Sequence, residues 1–360
     1  MRAVAAMRSG LFFRLGGPLS RFVVNPVHRG FAPRDFRMTI KPGDFSILYR
    51  KFLSGDLLRR LRKLRISNSG RTQGRWRSIK VPLRHWWQVP TIAEYINLRN
   101  TGDNRLTFRE WAMNTFLRDG MRRKAISLGC GYGLREIAWA KSGTVESILG
   151  VDLTPNLIAS SQESARKEGV SDIASFVAAD VSDVLQGEKY DLIIFEHSLH
   201  HFTDIPKLLD RCAASLNPGG MLYVDEYVGP RRLQYTKIQK EFANAALQVI
   251  PAEFRIDYSG RWRKDGIVSP GPLMMYLSDP SEAVESDQII PELRKRFNFL
   301  VEKKTGGTIF PLVVQDIACH FVDDPAAIDA LSKVLEMESD LIDHGLLESD
   351  YACVVACPKC

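Results

Sequence analysis

Three glycines at alternate positions directly follow a short apolar segment, and this pattern constrains the fold more than any other feature of the chain. Residues 125–128 are mostly apolar and suit a buried parallel strand. Gly129, Gly131 and Gly133 follow, and because they carry no Cβ, the backbone can turn sharply there and approach a ligand closely. Residues 134–141 then show apolar positions at helical spacing. A strand, a glycine turn and a helix N-terminus in succession predict a ligand cradle.

The spacing of these glycines is G-x-G-x-G, which differs from the dinucleotide-binding fingerprint. That fingerprint, G-x-G-x-x-G, requires a further glycine at position 134, where the chain has Leu134. Taken alone, the three glycines are also compatible with a turn that binds no ligand. The segments that follow favour a ligand.

Two acidic residues follow the next two predicted strands and suit a nucleoside. Residues 145–151 are predicted as the second strand, which Asp152 ends, 23 residues after the first glycine. A carboxylate at this place can accept hydrogen bonds from both hydroxyl groups of a ribose. Residues 174–178 are predicted as the third strand, and Asp180 and Val181 follow it. There the carboxylate can accept a hydrogen bond from the exocyclic amine of adenine, with Val181 against the ring.

The fourth predicted strand, residues 190–195, ends in a segment rich in ionisable side chains. Residues 196–201 read Glu-His-Ser-Leu-His-His, and a helix capped by Thr203 is predicted after them. A Leu-Asn-Pro-Gly-Gly turn at 216–220 precedes the fifth strand at 221–227. Because the carboxyl ends of parallel strands line the ligand crevice, we expect the histidines to face a substrate.

In this order and spacing, the segments resemble the class I S-adenosylmethionine-dependent methyltransferases over residues 124–229. The glycine turn matches the first motif of that family. Asp152 matches its ribose-binding acid, Asp180 the acid beside adenine, and residues 216–220 the turn before strand five. The Leu-His-His segment is similar to the small-molecule branch of the family. Nucleic-acid amine methyltransferases carry an Asn/Asp-Pro-Pro-aromatic motif there instead.

The resemblance implies an α/β fold: a Rossmann-like, doubly wound, mostly parallel seven-stranded sheet with a helical insertion or lid and a basic N-terminal extension. It divides the chain into a basic extension (1–37), a basic helical arm (38–100), a cofactor-binding core (101–229), a lid or acceptor insertion (230–296), and C-terminal strands and helices that complete the core (297–360).

The remaining elements are predicted from periodicity. The family usually joins strands six and seven by a short hairpin, whereas this sequence predicts helices between them. The predicted elements are helices at 107–117 and 233–249, strand six at 298–303, helices at 310–321 and 326–344, and the last strand at 351–356.

The resemblance also assigns residues to the cofactor and the substrate. S-adenosylmethionine is the implied cofactor, and a small-molecule or lipid-like acceptor is the implied substrate. His197 and Tyr227 are expected at the substrate. The implied cofactor-binding residues lie in the glycine turn and after strands two to four: Gly129, Cys130, Gly131, Gly133, Asp152, Leu153, Asp180, Val181 and Glu196.

A hydroxyl acceptor must lose a proton during methyl transfer, so a base is expected. His200 or His201 is the predicted base, with His200 preferred, because imidazole titrates near neutral pH. Glu196 or Glu226 could orient the imidazole or bind the acceptor. The same groups could instead pack or hydrogen-bond without a catalytic role. Two other functions stay open: a nicotinamide-dependent oxidoreductase on a similar fold, and a non-catalytic assembly factor with a vestigial pocket.

Positive charge is concentrated in the N-terminal part of the chain. Residues 1–100 contain 21 Lys and Arg but only 4 Asp and Glu, whereas the remainder carries a net charge of −10. Because the overall charge of +7 belongs to this arm, nucleic acid is not an expected partner of the core. A basic amphipathic helix predicted around residues 57–65 suits peripheral contact with an anionic membrane, binding of nucleic acid, or packing of its leucines on the main domain. Oligomeric state is not predicted.

The first 34 residues bear on localisation. They contain six arginines interleaved with apolar residues and no acid, which fits a mitochondrial presequence and a protein of the mitochondrial matrix. Alternatively, Met38 is the start of a cytoplasmic bacterial protein, and we prefer this interpretation. No apolar run reaches the roughly 18 residues that a membrane-spanning helix requires.

No metal site is predicted. Cys353, Cys357 and Cys360 have a spacing that can ligate an iron–sulfur cluster, but the first of them belongs to the predicted last strand. The histidines of segment 196–201 could hold a metal together with neighbouring acids, although a turn there favours contact with substrate. Nothing in the cysteine spacing suggests a disulfide framework, which fits a reducing compartment.

Overall fold

A seven-stranded sheet with the order β3-β2-β1-β4-β5-β7-β6 organises the chain. The computed structural model describes residues 83–359 together with Lys41, Asp44, Phe45, Ile47 and Tyr49. Strands β1 to β5 are parallel, and β7 runs antiparallel to both β5 and β6, which confirms the predicted mostly parallel sheet. The strands are β1 (Arg123–Leu128), β2 (Val145–Asp152), β3 (Ala174–Ala178), β4 (Tyr190–Glu196), β5 (Leu216–Tyr227), β6 (Phe297–Gly306) and β7 (Tyr351–Pro358).

Helices connect these strands and cover the sheet. The α-helices between residues 83 and 359 are α1 (Pro90–Thr101), α2 (Phe108–Phe116), α3 (Leu134–Lys141), α4 (Pro155–Lys167), α5 (Val181–Val184), α6 (Ile205–Ser215), α7 (Lys237–Leu247), α8 (Pro272–Ser278), α9 (Ile289–Arg296), α10 (Phe310–Val314) and α11 (Pro325–Asp343).

Each face of the sheet has its own apolar core. On β1, Ala125 points into one core and Ile126 into the other, as the two-residue period of a strand requires. Helices α2, α3 and α4 cover the first face, and α5, α6 and α9 cover the second. Because both faces are buried, the parallel strands are continuous apolar runs, which made them recognisable in the sequence.

A third apolar core belongs to a helical layer formed by α1, α7, α10 and α11. Helices α10 and α11 lie between β6 and β7 in the sequence, where a short hairpin is usual in the family. The buried Glu338 carboxylate on α11 accepts hydrogen bonds from the backbone N–H groups of Gly307 at 2.7 Å and Phe310 at 3.0 Å. These bonds hold the start of α10 against α11.

Three predicted helix boundaries were wrong. The helix predicted at 310–321 ends after Val314, because Asp316 has a left-handed φ of 73° and a short 3₁₀ turn follows at Ala318–His320. Helix α7 begins at Lys237 rather than at Leu233, which is itself left-handed. Asp204, not Thr203, precedes the first residue of α6, and its side chain makes no capping bond.

The predictions for the N-terminal arm concern residues that lie outside the described part of the chain. They are the presequence-like segment and the basic helix around 57–65, and both remain predictions. Among the described residues, none of the helices combines the length and the apolar composition needed to cross a membrane.

Candidate active site

The glycine turn between β1 and α3 is built as the sequence predicts. Gly129, Gly131 and Gly133 have left-handed φ values of 81°, 55° and 71°. A Cβ on Gly129 would lie 2.7 Å from the Cβ of Ser198, and one on Gly133 would lie 2.7 Å from the Cβ of Ser161. A Cβ on Gly131 would meet no described atom within 4 Å. Two glycines therefore permit tight packing of the turn, while the third exposes backbone to open space.

Substitution of Gly129 by alanine is expected to destabilise the turn strongly. The left-handed backbone alone costs about 1 kcal/mol for a residue with a Cβ, and the clash with Ser198 adds about 1–3 kcal/mol. Gly143→Ala is the matched control, since Gly143 has a φ of 75° but open space around it. Urea unfolding of both variants measures the difference. Equal losses of stability would show that the contact with Ser198 does not constrain the turn.

Asp152, at the end of β2, is held directly beside this turn. Its Oδ2 accepts a hydrogen bond from the Gly131 N–H at 3.1 Å, and its Oδ1 accepts one from the Thr154 N–H at 2.8 Å. Each carboxylate oxygen retains a lone pair, so the group can still accept hydrogen bonds from a ligand. Leu153 is 60% exposed, which leaves an apolar side chain open next to the carboxylate.

Asp180 and Val181 lie after β3, at the same edge of the sheet. Asp180 is exposed and caps α5, because its Oδ1 accepts a hydrogen bond from the Ser182 N–H at 2.8 Å. This bond and the one from the Ser182 hydroxyl lower the pKa of Asp180. The carboxylate is therefore ionised at neutral pH and suited to accept from an amine.

Cys130 has no chemical activation within the turn. Burial raises the pKa of its thiol, with the charges of Glu136 and Asp152 acting in the same direction. The thiol therefore stays protonated and is a poor nucleophile. Cys130 contributes backbone to the turn, where its N–H donates to the Val151 carbonyl at 3.0 Å.

The Glu196 carboxylate, at the end of β4, is occupied by cationic and aromatic partners. It accepts hydrogen bonds from the Trp139 indole at 3.0 Å and from Arg109 at 3.1 Å, and it pairs with Arg135 at 3.2 Å. Arg135 also donates to the Glu196 backbone carbonyl at 2.9 Å. Sequence reasoning singled out Glu196 but missed these three partners, which lie 57 to 87 residues away along the chain.

Two histidine–carboxylate pairs use successive residues of β5. In the first, His197 Nε2 lies 3.8 Å from Asp225 Oδ1, and both side chains are partly exposed. In the second, His200 Nδ1 donates to Glu226, and both side chains are buried. Because neighbouring residues of a strand point to opposite faces, the two pairs are directed away from each other.

The environment of His200 favours its charged form. Burial alone would lower the pKa of His200, but the charge and hydrogen bond of Glu226 raise it to about 9. Conversely, burial would raise the pKa of Glu226, and His200 helps to lower it to about 2. The Glu226 carboxylate also accepts hydrogen bonds from the Ser198 N–H at 2.8 Å and the Tyr227 N–H at 2.8 Å. Glu226 therefore fixes the orientation of the His200 ring.

The His201 ring lies against the His200 ring and contacts the insertion that follows β5. The two rings are 4.1 Å apart, and His201 Nδ1 lies 3.1 Å from the Ser281 hydroxyl. Burial and the charge of His200 lower the pKa of His201. Glu282 of the insertion approaches His200 Nε2 to 3.6 Å. Sequence reasoning missed Glu282, since no local pattern links it to the histidines.

The two histidines and Glu282 carry imidazole and carboxylate groups, which are common ligands of metal ions. Donor atoms of His200, His201 and Glu282 lie within 4.8 Å of one another, and they form the one such cluster among the described residues. Cys353 and Cys357 are four residues apart on the extended strand β7. At the rise of a β-strand, their Cα atoms are about 13 Å apart, and this distance is too long for both thiols to bind one ion. Cys360 lies outside the described residues.

The glycine turn and its two acids can be compared with known families. A family model described as "Methyltransferase domain" matches residues 126–224, the stretch from β1 to β5 that carries these groups. This chain is a class I S-adenosylmethionine-dependent methyltransferase. The predicted family, enzyme class and cofactor are confirmed. The oxidoreductase and the non-catalytic alternatives are set aside.

The methyltransferase is similar to curated relatives over about half its length. It is 26% identical over 205 residues to a "Ubiquinone biosynthesis O-methyltransferase" of Bradyrhizobium sp. (strain ORS 278), an alignment that covers 54% of this chain and 74% of the relative. It is 28% identical over 151 residues to a protein of the same name from Methylococcus capsulatus, covering 40% and 62%. A solved structure of geranyl diphosphate C-methyltransferase from Streptomyces coelicolor A3(2) shares 12% identity with a TM-score of 0.43, covering 69% of this chain and 78% of that one.

The site fits S-adenosylmethionine. Open space lies over Gly131, where a ligand can approach the backbone, and the Asp152 carboxylate is anchored beside it. Leu153 offers an exposed apolar side chain and Asp180 an ionised carboxylate, which are group types that can contact an adenine. The geometry thus brings together the turn and both acids that the sequence singled out.

Proposed function

We propose that this methyltransferase transfers a methyl group from S-adenosylmethionine to a hydroxyl oxygen of a small or lipid-like acceptor. The buried His200–Glu226 pair at the carboxyl edge of the sheet carries this proposal, because it is an oriented histidine beside the cofactor-binding edge. The names of the relatives, "Ubiquinone biosynthesis O-methyltransferase", support oxygen as the acceptor atom.

We assign the cofactor to the residues after β1, β2 and β3. Asp152 accepts the ribose hydroxyls, Asp180 accepts the adenine amine, and Leu153 and Val181 contact the ring. The turn from Gly129 to Gly133, with Cys130, holds the amino-acid part against bare backbone. Once bound, S-adenosylmethionine supplies an electrophilic methyl group on a sulfonium.

Glu196 contributes to the cofactor site by holding the side chain of Arg135 in place. Its carboxylate is taken up by Trp139, Arg109 and Arg135, so it is a positioning residue rather than a base. Arg135 is 45% exposed in its side chain and is held at the edge of the turn by Glu196. Its guanidinium can bind a carboxylate, such as that of the amino-acid part of the cofactor.

His200 removes the acceptor proton in this proposal. Nδ1–H donates to Glu226, which leaves the lone pair of Nε2 to accept the hydroxyl proton. The acceptor oxygen would bond to the methyl carbon as the carbon–sulfur bond breaks, and S-adenosylhomocysteine would leave with that electron pair. Glu226 holds the tautomer and stabilises the imidazolium that results. In-line placement of the acceptor contributes most of the rate acceleration.

The rate of methyl transfer is expected to rise with pH up to about 9. Only neutral His200 can accept a proton, and Glu226 raises its pKa to about 9. Below that pKa, kcat should increase about tenfold per pH unit and then level off. Glu226→Gln removes the charge that raises the pKa, so the rising limb of the profile should move to lower pH. A profile that is flat from pH 6 to 9 in the wild-type enzyme would contradict histidine base catalysis.

A labelled-methyl assay tests the reaction itself. Purified enzyme is incubated with [methyl-³H]S-adenosylmethionine and a panel of single-ring acceptors that carry hydroxyl, amine or thiol groups. We expect label in the hydroxyl compounds. Label in the amines alone would overturn O-methylation while leaving the methyltransferase assignment intact.

A further inference from the structure

A groove with a volume of about 740 Å³ lies between α2 and α3, on the first face of the sheet. Helix α2 contributes Arg109 and Met113 to it, and α3 contributes Ala138 and Lys141. The segments that lead into β1 and β2 line its far end. Because these strands begin there, that end lies at the amino edge of the sheet, opposite the glycine turn. The groove is therefore separate from the cofactor and acceptor sites except at Arg109.

The floor of the groove is apolar. Met113 and Leu117 line it and are buried, and Leu106 and Ala138 add further apolar surface. Met121 also lines the groove, and its side chain is 65% exposed. Methionine adapts its shape to a ligand, so an exposed one beside an apolar floor suits a flexible hydrocarbon chain.

Cationic side chains outnumber acids along the groove. Its lining contains four cations and one acid: Arg109, Arg118, Arg122, Lys141 and Glu110. The Glu110 carboxylate caps α2, where it accepts a hydrogen bond from the Thr107 N–H at 3.0 Å. Lys141 pairs with Glu168 at 2.5 Å.

Arg118 and Arg122 differ from the other charged residues of the lining. Both are exposed, and among the residues that the structure describes neither guanidinium group has a hydrogen-bond or ion-pair partner. The adjacent Asp119 does not neutralise them, because it pairs with Arg123 at 2.6 Å. Two unpaired guanidinium groups at one end of an apolar groove suit a phosphate or a carboxylate, which arginine can bind through two parallel hydrogen bonds.

Charge and shape narrow the range of occupants. Residues 1–100 carry 21 Lys and Arg against 4 Asp and Glu, so the N-terminal arm and this groove would repel each other. The volume falls within the roughly 300–1,000 Å³ of small-molecule sites. The apolar floor favours a hydrocarbon chain over the polar backbone of a nucleic acid.

Helix α2 sets the length of chain that the groove can hold. From Arg109 to Phe116 the helix rises about 10 Å. A head group bound at Arg118 therefore leaves room for a chain of about this length, which passes Met113 and ends near Arg109.

We propose that this groove binds one anionic amphiphile, with its phosphate or carboxylate head at Arg118 and Arg122 and its hydrocarbon chain along Met113 and Leu117. The ligand is a single molecule that enters the groove, and its site is distinct from that of the methyl acceptor.

Arg109 links the groove to the cofactor site. Its side chain is 23% exposed and pairs with Glu196 at 3.1 Å. A hydrocarbon chain over Arg109 excludes water and strengthens this pair. Glu196 in turn holds Arg135, so an occupied groove should tighten cofactor binding. This coupling rests on the proposed function, which assigns Arg135 to the cofactor, whereas the binding site itself does not.

Isothermal titration of the full chain with octyl phosphate, below its critical micelle concentration, tests the binding site without turnover. We expect ethyl phosphate, which lacks the chain, and octyl glucoside, which lacks the charge, each to bind at least about tenfold more weakly. Arg118→Ala and Arg122→Ala should each weaken binding of octyl phosphate about tenfold. Lys207→Ala is the matched control, since Lys207 is an exposed cation on α6, which covers the other face of the sheet. Circular dichroism confirms that each variant is folded.

Several results would overturn the site. Equal affinity for ethyl phosphate would mean that the arginines bind any phosphate, and equal affinity for octyl glucoside would remove the role of charge. Loss of binding in His200→Ala but not in Arg118→Ala would place the probe in the acceptor site.

Other occupants give different results. Absence of octyl phosphate binding at millimolar concentration would overturn the proposal. If phosphatidylglycerol vesicles or a thymidine oligonucleotide bound instead, the groove would be a membrane or nucleic-acid contact. A dimer in analytical ultracentrifugation that Arg118→Ala dissociates would assign the groove to a second copy of the chain.

Titration of S-adenosylhomocysteine with and without octyl phosphate tests the coupling. We expect its affinity to be about fivefold higher with the probe bound, and Arg118→Ala to lose this increase at unchanged basal affinity. Unchanged affinity in the presence of bound probe would keep the groove assignment and reject the coupling. An enzyme that shows the increase but methylates no hydroxyl would support the site and its coupling and reject only the proposed O-methylation.

Discussion

Replacement of Asp152 by alanine is expected to weaken S-adenosylmethionine binding by at least about 100-fold. A hydrogen bond to a charged group contributes about 1.5–3 kcal/mol, and this carboxylate can accept two from a ribose. The substitution also releases the Gly131 N–H and the Thr154 N–H, which the carboxylate now holds. The loss should therefore combine missing contacts with a loosened turn.

Isothermal titration calorimetry with S-adenosylmethionine and S-adenosylhomocysteine measures this effect. Asp152→Asn keeps an oxygen for the Thr154 N–H and removes the charge, so it should fall between the wild type and the alanine variant. Asp172→Ala is a suitable control, because Asp172 is exposed in the loop before β3. A dissociation constant within threefold of the wild type in Asp152→Ala would mean that the sugar is held elsewhere.

Local pattern was sufficient to predict the strands and turns from β1 to β3. The third strand was predicted at 174–178 and is found there, because a buried parallel strand is an apolar run with clear ends. The glycine turn and Asp152 follow from residue type and spacing over about thirty residues. Asp152 and Gly131, which are joined by a hydrogen bond, are only 21 positions apart, so local spacing was enough to predict that they lie together.

The histidine segment after β4 and the elements that follow β5 depend on contacts that local pattern does not encode. Residues 310–321 have helical spacing, yet Lys264 donates to the carbonyls of Leu312 and Gln315 at 2.6 Å and the helix ends there. Glu282 meets His200 although 82 positions separate them. Alternation along β5 would have indicated that Asp225 and Glu226 face opposite sides. The left-handed backbone at His197 decides which histidine pairs with Asp225 and which pairs with Glu226. The sequence does not signal this conformation.

Replacement of His200 by alanine is expected to lower kcat by about 100-fold to 10,000-fold, the usual contribution of a positioned general base. Affinity for S-adenosylmethionine should be unchanged, because the residues assigned to the cofactor lie mainly on the turns after β1, β2 and β3. His344→Ala is the control, since His344 is exposed and its ring Nδ1 lies 2.7 Å from the Asp340 carbonyl. Steady-state kinetics with a hydroxyl acceptor, together with calorimetric titration of the cofactor, measure both quantities.

The alanine variant leaves the buried Glu226 carboxylate without its cation, and such a loss can destabilise a protein by about 3–5 kcal/mol. The double variant His200→Ala/Glu226→Gln removes the unpaired charge, so it should regain stability without regaining activity. Added imidazole provides a second measurement that a purely structural role would not produce. It should restore part of the rate in His200→Ala, with a pH dependence set by free imidazole, and should leave the wild-type rate unchanged. A folded double variant with kcat within twofold of the wild type would exclude His200 as the base, and His201, whose pKa is lowered, would be the next candidate.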